Sequence, residues 1–128
     1  MSRIHARENL MKLVFEYYFV KDANENEMEL TSEETLTEED KSYIVSSLAE
    51  IKANYQEILN VIESNLVNYT LDRICKTDLA ILVVSIYELK YLNSTNRVVI
   101  NEAVELAKKY STENSYKFVN GLLAKVVN

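Results

Sequence analysis

The residues best suited to chemistry lie near the carboxyl end, where Tyr116, Lys117 and Phe118 follow a polar turn at 111–115. The free N–H groups at a helix amino terminus attract anions. A cation between two aromatic rings at such a terminus could hold a phosphate while a ring stacks on a base. The same pattern is also typical of an ordinary helix, with Phe118 in the core, Tyr116 half-buried and Lys117 in solvent. Both interpretations remain open from the spacing alone.

Two further cations lie at the opposite end of the chain. Arg3 and Arg7 are one helical turn apart, so their side chains project to the same side near a helix start. Arginine in a first turn opposes the helix dipole, at a cost of about 0.3–1 kcal/mol where it is exposed. Stability alone does not favour this placement, which therefore indicates an anionic ligand. We expect that both arginines can be replaced without disturbing the core.

Residues for catalysis or metal binding are sparse. Cys75 is the only cysteine and His5 the only histidine, so an internal disulfide and a two-histidine metal site are both excluded. Cys75 lies beside apolar residues and is expected to be buried and structural. Glu102 and Glu105 share a helix face, but the Glu-x-x-His motif of di-iron bundles does not occur. With one glycine the chain cannot form a phosphate-binding glycine-rich loop. We expect no enzymatic activity, no metal and no cofactor.

The formal net charge of −6 is unevenly distributed along the chain. Residues 22–40 contain nine of the twenty acidic residues and no basic residue. The other 109 residues carry 14 basic and 11 acidic residues, a balance of +3. We interpret 22–40 as a solvated acidic connector. The acidity of the whole chain therefore does not argue against a nucleic-acid partner.

The composition predicts that these residues are carried by helices. The 128 residues include one glycine and no proline, whereas β-sandwiches and barrels need such residues at their hairpins. An apolar fraction of 48% and a charged fraction of 27% are typical of one globular domain. The first residues lack the apolar stretch of a signal peptide, and the longest apolar run, 79–84, is too short for a membrane span. We expect an all-α protein of the cytoplasm.

Apolar periodicity predicts the individual helices. The helical segments are expected at about 2–20, 43–66 with a bend at 53–54, 71–75, 78–89, 98–110 and 116–127. Thr37 and Asp40 have the spacing of a capping box ahead of the second segment. The segment 78–89 is apolar on nearly every side, so the other helices should surround it.

The same periodicity assigns side chains to the core or to solvent. The solvent face of the first helix is expected to carry His5, Glu8, Lys12 and Glu16. Five tyrosines lie on apolar stripes, and most of them are expected in the core: Tyr17, Tyr18, Tyr43, Tyr55 and Tyr87.

Gly121 is the only glycine and lies inside the last predicted helix. A glycine in a helix interior costs about 1 kcal/mol relative to alanine. It is usually found where two helices cross closely. We therefore expect Gly121→Leu to be destabilising by about 1–3 kcal/mol through overpacking.

Two segments near the carboxyl end form a longer and more specific pattern. Residues 98–108 read VVINEAVELAK and residues 115–123 read SYKFVNGLL, and together they closely resemble the NusB transcription antitermination family. The segment 78–89 is similar to the helix that precedes this pattern in the family, and Arg3-x-x-Ala6-Arg7 is similar to its basic first helix. The resemblance covers nearly the whole chain in the same order, although 22–70 matches only in length and helical pattern.

The resemblance implies a compact single domain of six to seven helices in two small packed bundles, about 1–70 and 71–128. It also implies binding of single-stranded boxA RNA together with NusE, the small-subunit ribosomal protein, in support of ribosomal RNA operon transcription. By position in the family pattern, the RNA-binding residues would be Arg3, Arg7, Phe15, Asn114, Lys117 and Phe118. Asp78 at the start of the central helix would contact NusE.

Two departures from the family pattern bear on RNA affinity. Many family members begin with more arginines than this chain, and a shorter basic arm weakens RNA binding. Many also have an acidic residue where this chain has Asn114, and a neutral side chain there does not repel phosphate.

Two other functions remain open from the sequence. A similar helical domain precedes the catalytic domain of some RNA cytosine methyltransferases, but these 128 residues contain no cofactor-binding α/β domain. The second alternative is a pure protein–protein interaction module with weak or no RNA binding. In that case the acidic segment 22–40 would bind a basic partner.

Overall fold

The computed structural model describes residues 4–19, 36–67 and 70–127, which form helices and no strand. Arg3 and residues 22–35 of the acidic connector lie outside the described residues. A 3₁₀ turn at Leu71–Arg73 precedes the fourth helix. The described α-helices are α1 (Ile4–Phe19), α2 (Glu38–Ala53), α3 (Tyr55–Ser64), α4 (Lys76–Tyr91), α5 (Asn96–Tyr110) and α6 (Ser115–Val127). The predicted all-α class is confirmed.

Helix α4 is the centre of the molecule. Every residue from Asp78 to Leu89 is buried, and α1, α3, α5 and α6 all pack against it. Around it, α1 packs on α2 and α5 packs on α6. The surrounding helices complete the core with side chains that have no exposed surface, among them Leu10, Ile51, Ile62 and Leu123. The prediction of a central helix surrounded by the others is confirmed.

The start of α2 and the break after it follow from local hydrogen bonds. The Thr37 hydroxyl accepts a bond from the Asp40 backbone N–H at 3.0 Å, and the Asp40 carboxylate accepts one from the Thr37 N–H at 3.1 Å. At the break, the Asn54 backbone N–H donates to the Glu50 carbonyl at 3.1 Å and its side-chain amide donates to the same carbonyl at 2.9 Å, which caps the end of α2. The predicted capping box and the bend at 53–54 are therefore both confirmed.

The expected solvent face of α1 is wrong at two positions. Glu8 is 4% exposed and Lys12 is 5% exposed. Both are covered because the end of α5 packs beside them and provides Lys109 and Tyr110 as partners. His5 is exposed, as expected.

The tyrosines divide between the core and the surface. Tyr43 and Tyr87 are buried, as predicted. Tyr18 and Tyr55 are half-buried and stack on each other, with their ring centroids 3.6 Å apart. Tyr17 is 59% exposed, and its core assignment is wrong. Its ring meets that of Tyr18 edge-on, with the centroids 4.7 Å apart, and the Lys52 ammonium lies 3.9 Å from its centroid.

Two further sequence predictions are contradicted. Cys75 is exposed, because it is the N-cap residue that precedes α4 and does not share the buried surface of that helix. Gly121 is also exposed, and a Cβ placed on it would meet no atom within 4 Å. Helix α6 buries a different face, through Val119, Leu122, Leu123 and Val126. Gly121 therefore does not mark a helix crossing, and Gly121→Leu is not expected to overpack the protein.

Candidate nucleic-acid interface

The turn between α5 and α6 is held by its own hydroxyl groups. The Ser115 hydroxyl lies 2.9 Å from that of Ser111 and 2.7 Å from that of Thr112. The backbone N–H of Lys117 donates to the Asn114 carbonyl at 3.1 Å, which closes the first turn of the helix. These bonds fix the start of α6, which leaves Asn114 and Lys117 exposed and Phe118 half-buried.

Three of the sequence-predicted site residues meet in one cleft between the starts of α4 and α6, which we call the Asp78 cleft. Its cavity volume is about 290 Å³. Asp78, Asn114 and Phe118 are among its walls. The remaining lining residues are Arg73, Ile74, Cys75, Thr112 and Ser115. Asp78 is separated in sequence from Asn114 by 36 positions and from Phe118 by more. The fold therefore brings Asp78 to the other two residues.

Arg73 is a functional candidate that the sequence reasoning missed. Its side chain is exposed and lines the Asp78 cleft, where it provides a positive charge beside Asn114 and Phe118. Its position in the 3₁₀ turn before α4 has no helical periodicity, so spacing alone could not have placed it there. A cation next to an aromatic ring is the combination that recognises a phosphate and a base.

Asp78, which lines this cleft, has a buried acceptor atom without a partner in the described part of the chain. The residue is 5% exposed, and its Oδ1 atom has no hydrogen-bond partner among the described residues. As the third residue of α4 it complements the positive end of the helix dipole, which stabilises a carboxylate. A buried acceptor without a donor costs about 1–3 kcal/mol. An N–H group or a cation that enters the cleft could therefore bind Asp78 favourably.

A second cleft lies on the other side of Phe118, and we call it the Gly121 groove. Its cavity volume is about 240 Å³. Lys117, Phe118 and Gly121 of α6 line it together with Leu122 and Lys125, and its opposite wall is the segment 65–67 after α3. Phe118 thus forms part of both clefts, and Lys117 belongs to the Gly121 groove only.

Arg7 lies apart from these clefts and forms a buried ion pair. Its Nε atom is 2.8 and 2.9 Å from the two carboxylate oxygens of Glu88, which also accepts a hydrogen bond from the Tyr43 hydroxyl. The side chains of Arg7 and Glu88 are 12% and 1% exposed. Glu88 follows Asp78 by about 15 Å along α4, at 1.5 Å per residue. The expectation that Arg7 can be replaced without disturbing the core is therefore wrong.

The start of α1 is nevertheless close to the end of α5. The Glu8 carboxylate accepts hydrogen bonds from Lys109, at 2.6 Å, and from the Tyr110 hydroxyl. Burial by itself would raise the pKa of Glu8, but the bonds from Lys109 and Tyr110 and the charge of Lys109 outweigh it and hold this pKa below its usual value. The bond to Glu8 correspondingly raises the pKa of Lys109. This network connects α1 to the helix end from which the turn at 111–114 departs.

Phe15 is half-buried two turns beyond Glu8 on α1. Its ring centroid lies 6.3 Å from that of Phe19, with the rings tilted by 58°. The aromatic pair is thus formed within α1, whereas Asn114 and Phe118 belong to the Asp78 cleft.

Comparison with known protein families places this geometry in context. Residues 4–128 match the model of the NusB family. The chain belongs to the NusB family. Membership makes it a non-catalytic transcription antitermination factor, as the sequence pattern at 98–123 predicted.

Individual NusB proteins match over nearly their full length. The chain is 39% identical to the transcription antitermination protein NusB of Listeria monocytogenes serotype 4a over 127 residues, which cover 98% of this chain and 96% of the relative. It is 43% identical over 129 residues to that of Acetivibrio thermocellus, with 99% and 89% covered. The match therefore includes the described helices and the segments between them.

Solved NusB structures share the fold. A structure of NusB from T. maritima matches with a TM-score of 0.83 at 32% identity and covers 98% of this chain and 90% of the other. A structure of the antitermination factors NusB and NusE in complex with double-stranded RNA matches with a TM-score of 0.79 at 25% identity, with 97% and 94% covered. Within the described residues of this chain, no helix is long and apolar enough to cross a membrane.

Proposed function

We propose that the chain acts in antitermination by binding boxA-type single-stranded RNA together with NusE, in support of ribosomal RNA operon transcription in the cytoplasm. The observation that carries this proposal is the surface at the start of α6. There an exposed cation, Lys117, precedes an aromatic ring that forms part of two clefts. The solved complex of a related NusB with NusE and RNA supports the same partners.

The proposed RNA contacts divide by their surroundings. Asn114, Lys117 and Phe118 belong to the clefts at the start of α6 and are open to a ligand. Arg7 is mostly occupied by Glu88 and offers phosphate only the small exposed part of its side chain. Phe15 of α1 and Arg3, which lies outside the described residues, complete the proposed contacts. If three cations contact phosphates, the logarithm of affinity should fall with the logarithm of salt concentration with a slope of about −2 on single-stranded RNA.

Asp78 is the proposed contact for NusE. Asp78 lines the cleft, and its buried Oδ1 atom has no hydrogen-bond partner among the described residues. A cationic side chain of NusE could supply the missing hydrogen bond. Charge-assisted bonds of this kind are stronger than neutral ones. Because three RNA contacts give weak binding alone, a joint surface with NusE explains why both partners are needed.

The test is a titration of labelled boxA-type RNA with the chain, with NusE and with both, followed by fluorescence anisotropy. We expect tight binding only when both proteins are present. Lys117→Ala should weaken it, whereas Lys90→Ala, which removes an equivalent exposed charge at the far end of α4, should not. If the chain binds NusE but the two proteins together do not bind the RNA, the chain is a protein-interaction module and the proposal is wrong.

Asp78 is tested best by Asp78→Asn, which keeps the size of a buried side chain and removes its charge. We expect weaker binding of NusE and a small loss of stability, about 0.3–1 kcal/mol, from the helix dipole. Pull-down or calorimetry with NusE measures the first effect, and urea unfolding the second. Normal NusE binding by the variant would show that Asp78 stabilises α4 but does not contact NusE.

A further inference from the structure

Gly121 has no structural explanation within the described part of the chain. It lies in the interior of α6, where alanine would favour the helix more. Neither a close contact nor a left-handed backbone requires glycine at this position, since a Cβ would find nothing within 4 Å and the φ angle is not positive. A residue that weakens its helix without improving the packing is consistent with close approach by a ligand.

The surroundings of Gly121 indicate which ligand. Lys117, Gly121 and Lys125 follow each other at intervals of four residues, so they lie on the same face of α6. The two lysines are about 12 Å apart along the helix axis, which corresponds to about three or four nucleotides of a stacked strand. Of the described residues that line the groove, none is acidic. The face is therefore positively charged at both ends and has no side chain in the middle.

The groove also has an apolar floor and an open mouth. Phe118 and Leu122 of α6 face Leu66 and the exposed Val67 across it. The Lys125 ammonium lies 3.5 Å from the Asn65 carbonyl oxygen, a long contact that leaves it able to turn towards an anion. The groove is continuous with the proposed RNA contacts, because Lys117 and Phe118 belong to both.

We propose that the Gly121 groove binds the sugar–phosphate backbone of the RNA where the strand leaves Phe118. Lys117 and Lys125 contact phosphates about three or four nucleotides apart, and the missing side chain of Gly121 lets the strand lie against the helix backbone. This inference rests on the proposed RNA binding and adds Lys125 and Gly121 to it. The same apolar floor could fit a segment of a protein partner, which the test below must distinguish.

The test compares Gly121→Ala, Gly121→Leu and Lys125→Gln with the parent chain and with Lys90→Gln as a matched charge control. Unfolding temperature, binding of NusE without RNA, and affinity of the NusE complex for boxA-type RNA are measured for each. We expect Gly121→Ala to raise the unfolding temperature and yet weaken RNA binding. Gly121→Leu should weaken RNA binding further, by about tenfold or more. Lys125→Gln should make the salt slope shallower by about 0.7, the contribution of one phosphate contact on single strands.

Three outcomes would overturn the inference. If the parent complex binds RNA and all three variants bind it equally well with the same salt slope, the groove does not carry RNA, and the proposed function stands. If Gly121→Leu loses NusE binding in the absence of RNA, the groove is a protein-docking surface instead. If the parent complex binds no RNA at all, the proposed function fails and the groove with it.

Discussion

At the scale of single residues, the charged side chains of α1 are more important for the fold than the sequence suggested. Arg7 and Glu8 are adjacent in sequence, yet Arg7 pairs with buried Glu88 of α4 and Glu8 with Lys109 and Tyr110 of α5. The periodicity of α1 cannot reveal these partners, because both are contributed by helices about 80 or more residues further along the chain. Arg73 of the Asp78 cleft was missed for a different reason, because its 3₁₀ turn has no helical periodicity from which its position could be predicted.

Removing Arg7 should destabilise the protein. Arg7→Ala would leave the Glu88 carboxylate buried without its counter-charge, and breaking such a pair typically costs about 3–5 kcal/mol. Arg97→Ala removes an exposed arginine at the start of α5 and should change the free energy of unfolding by no more than about 0.5 kcal/mol. Urea unfolding of the two variants makes the comparison. Equal effects would show that the Arg7–Glu88 pair does not stabilise the fold.

Glu8 should make the stability depend on pH. Its pKa is lowered in the folded protein below the ordinary value of 4.5. The stabilisation is therefore complete above pH 4.5 and is lost as the pH falls through the lowered pKa. Lys109, whose pKa is raised above 10.5, contributes below that value and loses its contribution as the pH rises through the raised pKa.

Urea unfolding of the parent and of Glu8→Gln at a series of pH values tests this dependence. The difference in unfolding free energy should be largest near neutral pH and should shrink in acid. Glu105→Gln is the control, because Glu105 is exposed and its ion pair, at 3.8 Å, is with Lys108, which is also exposed; such surface pairs contribute little to stability. A difference between parent and Glu8→Gln that stays constant down to pH 2 would contradict the assignment.

At the scale of helices, the sequence was a good guide because the signals that start and stop them are local. The capping box at Thr37 and the break at Asn54 depend on hydrogen bonds between residues three or four positions apart. The only glycine was the exception. Its effect on packing depends on what lies opposite it, and α6 turns Gly121 towards an open groove.

The cap of α2 provides a prediction at this scale. Thr37→Ala removes a hydroxyl that accepts from the Asp40 N–H, and loss of such a cap costs about 0.5–2 kcal/mol. Thr95 occupies the N-cap position of α5, but its side chain makes no cap hydrogen bond. Thr95→Ala should therefore cost clearly less. If thermal unfolding shows the same loss for both variants, the capping box does not stabilise α2 as described.

At the scale of the whole molecule, the sequence predicted some residues of the candidate site but not how they are arranged in space. Asn114, Lys117 and Phe118 were found because they lie together on one turn and the start of one helix. Their meeting with Asp78 in one cleft, and the distance of that cleft from the buried Arg7 pair, follow from the packing of α4 against α1 and α6. No single-sequence periodicity contains that information. A substitution test of RNA binding is consequently cleaner at exposed Lys117 than at Arg7.

The central claim is that RNA and NusE bind around the starts of α4 and α6. Hydrogen–deuterium exchange of the chain, alone and in the complex with NusE and boxA-type RNA, tests it most directly. We predict slower exchange on complex formation at residues 73–78 and 111–125. Exchange should be unchanged at residues 42–50 of α2, several of which line a separate cleft with Tyr87 and Leu92. Slower exchange at 42–50 with none at 73–78 or 111–125 would contradict the account.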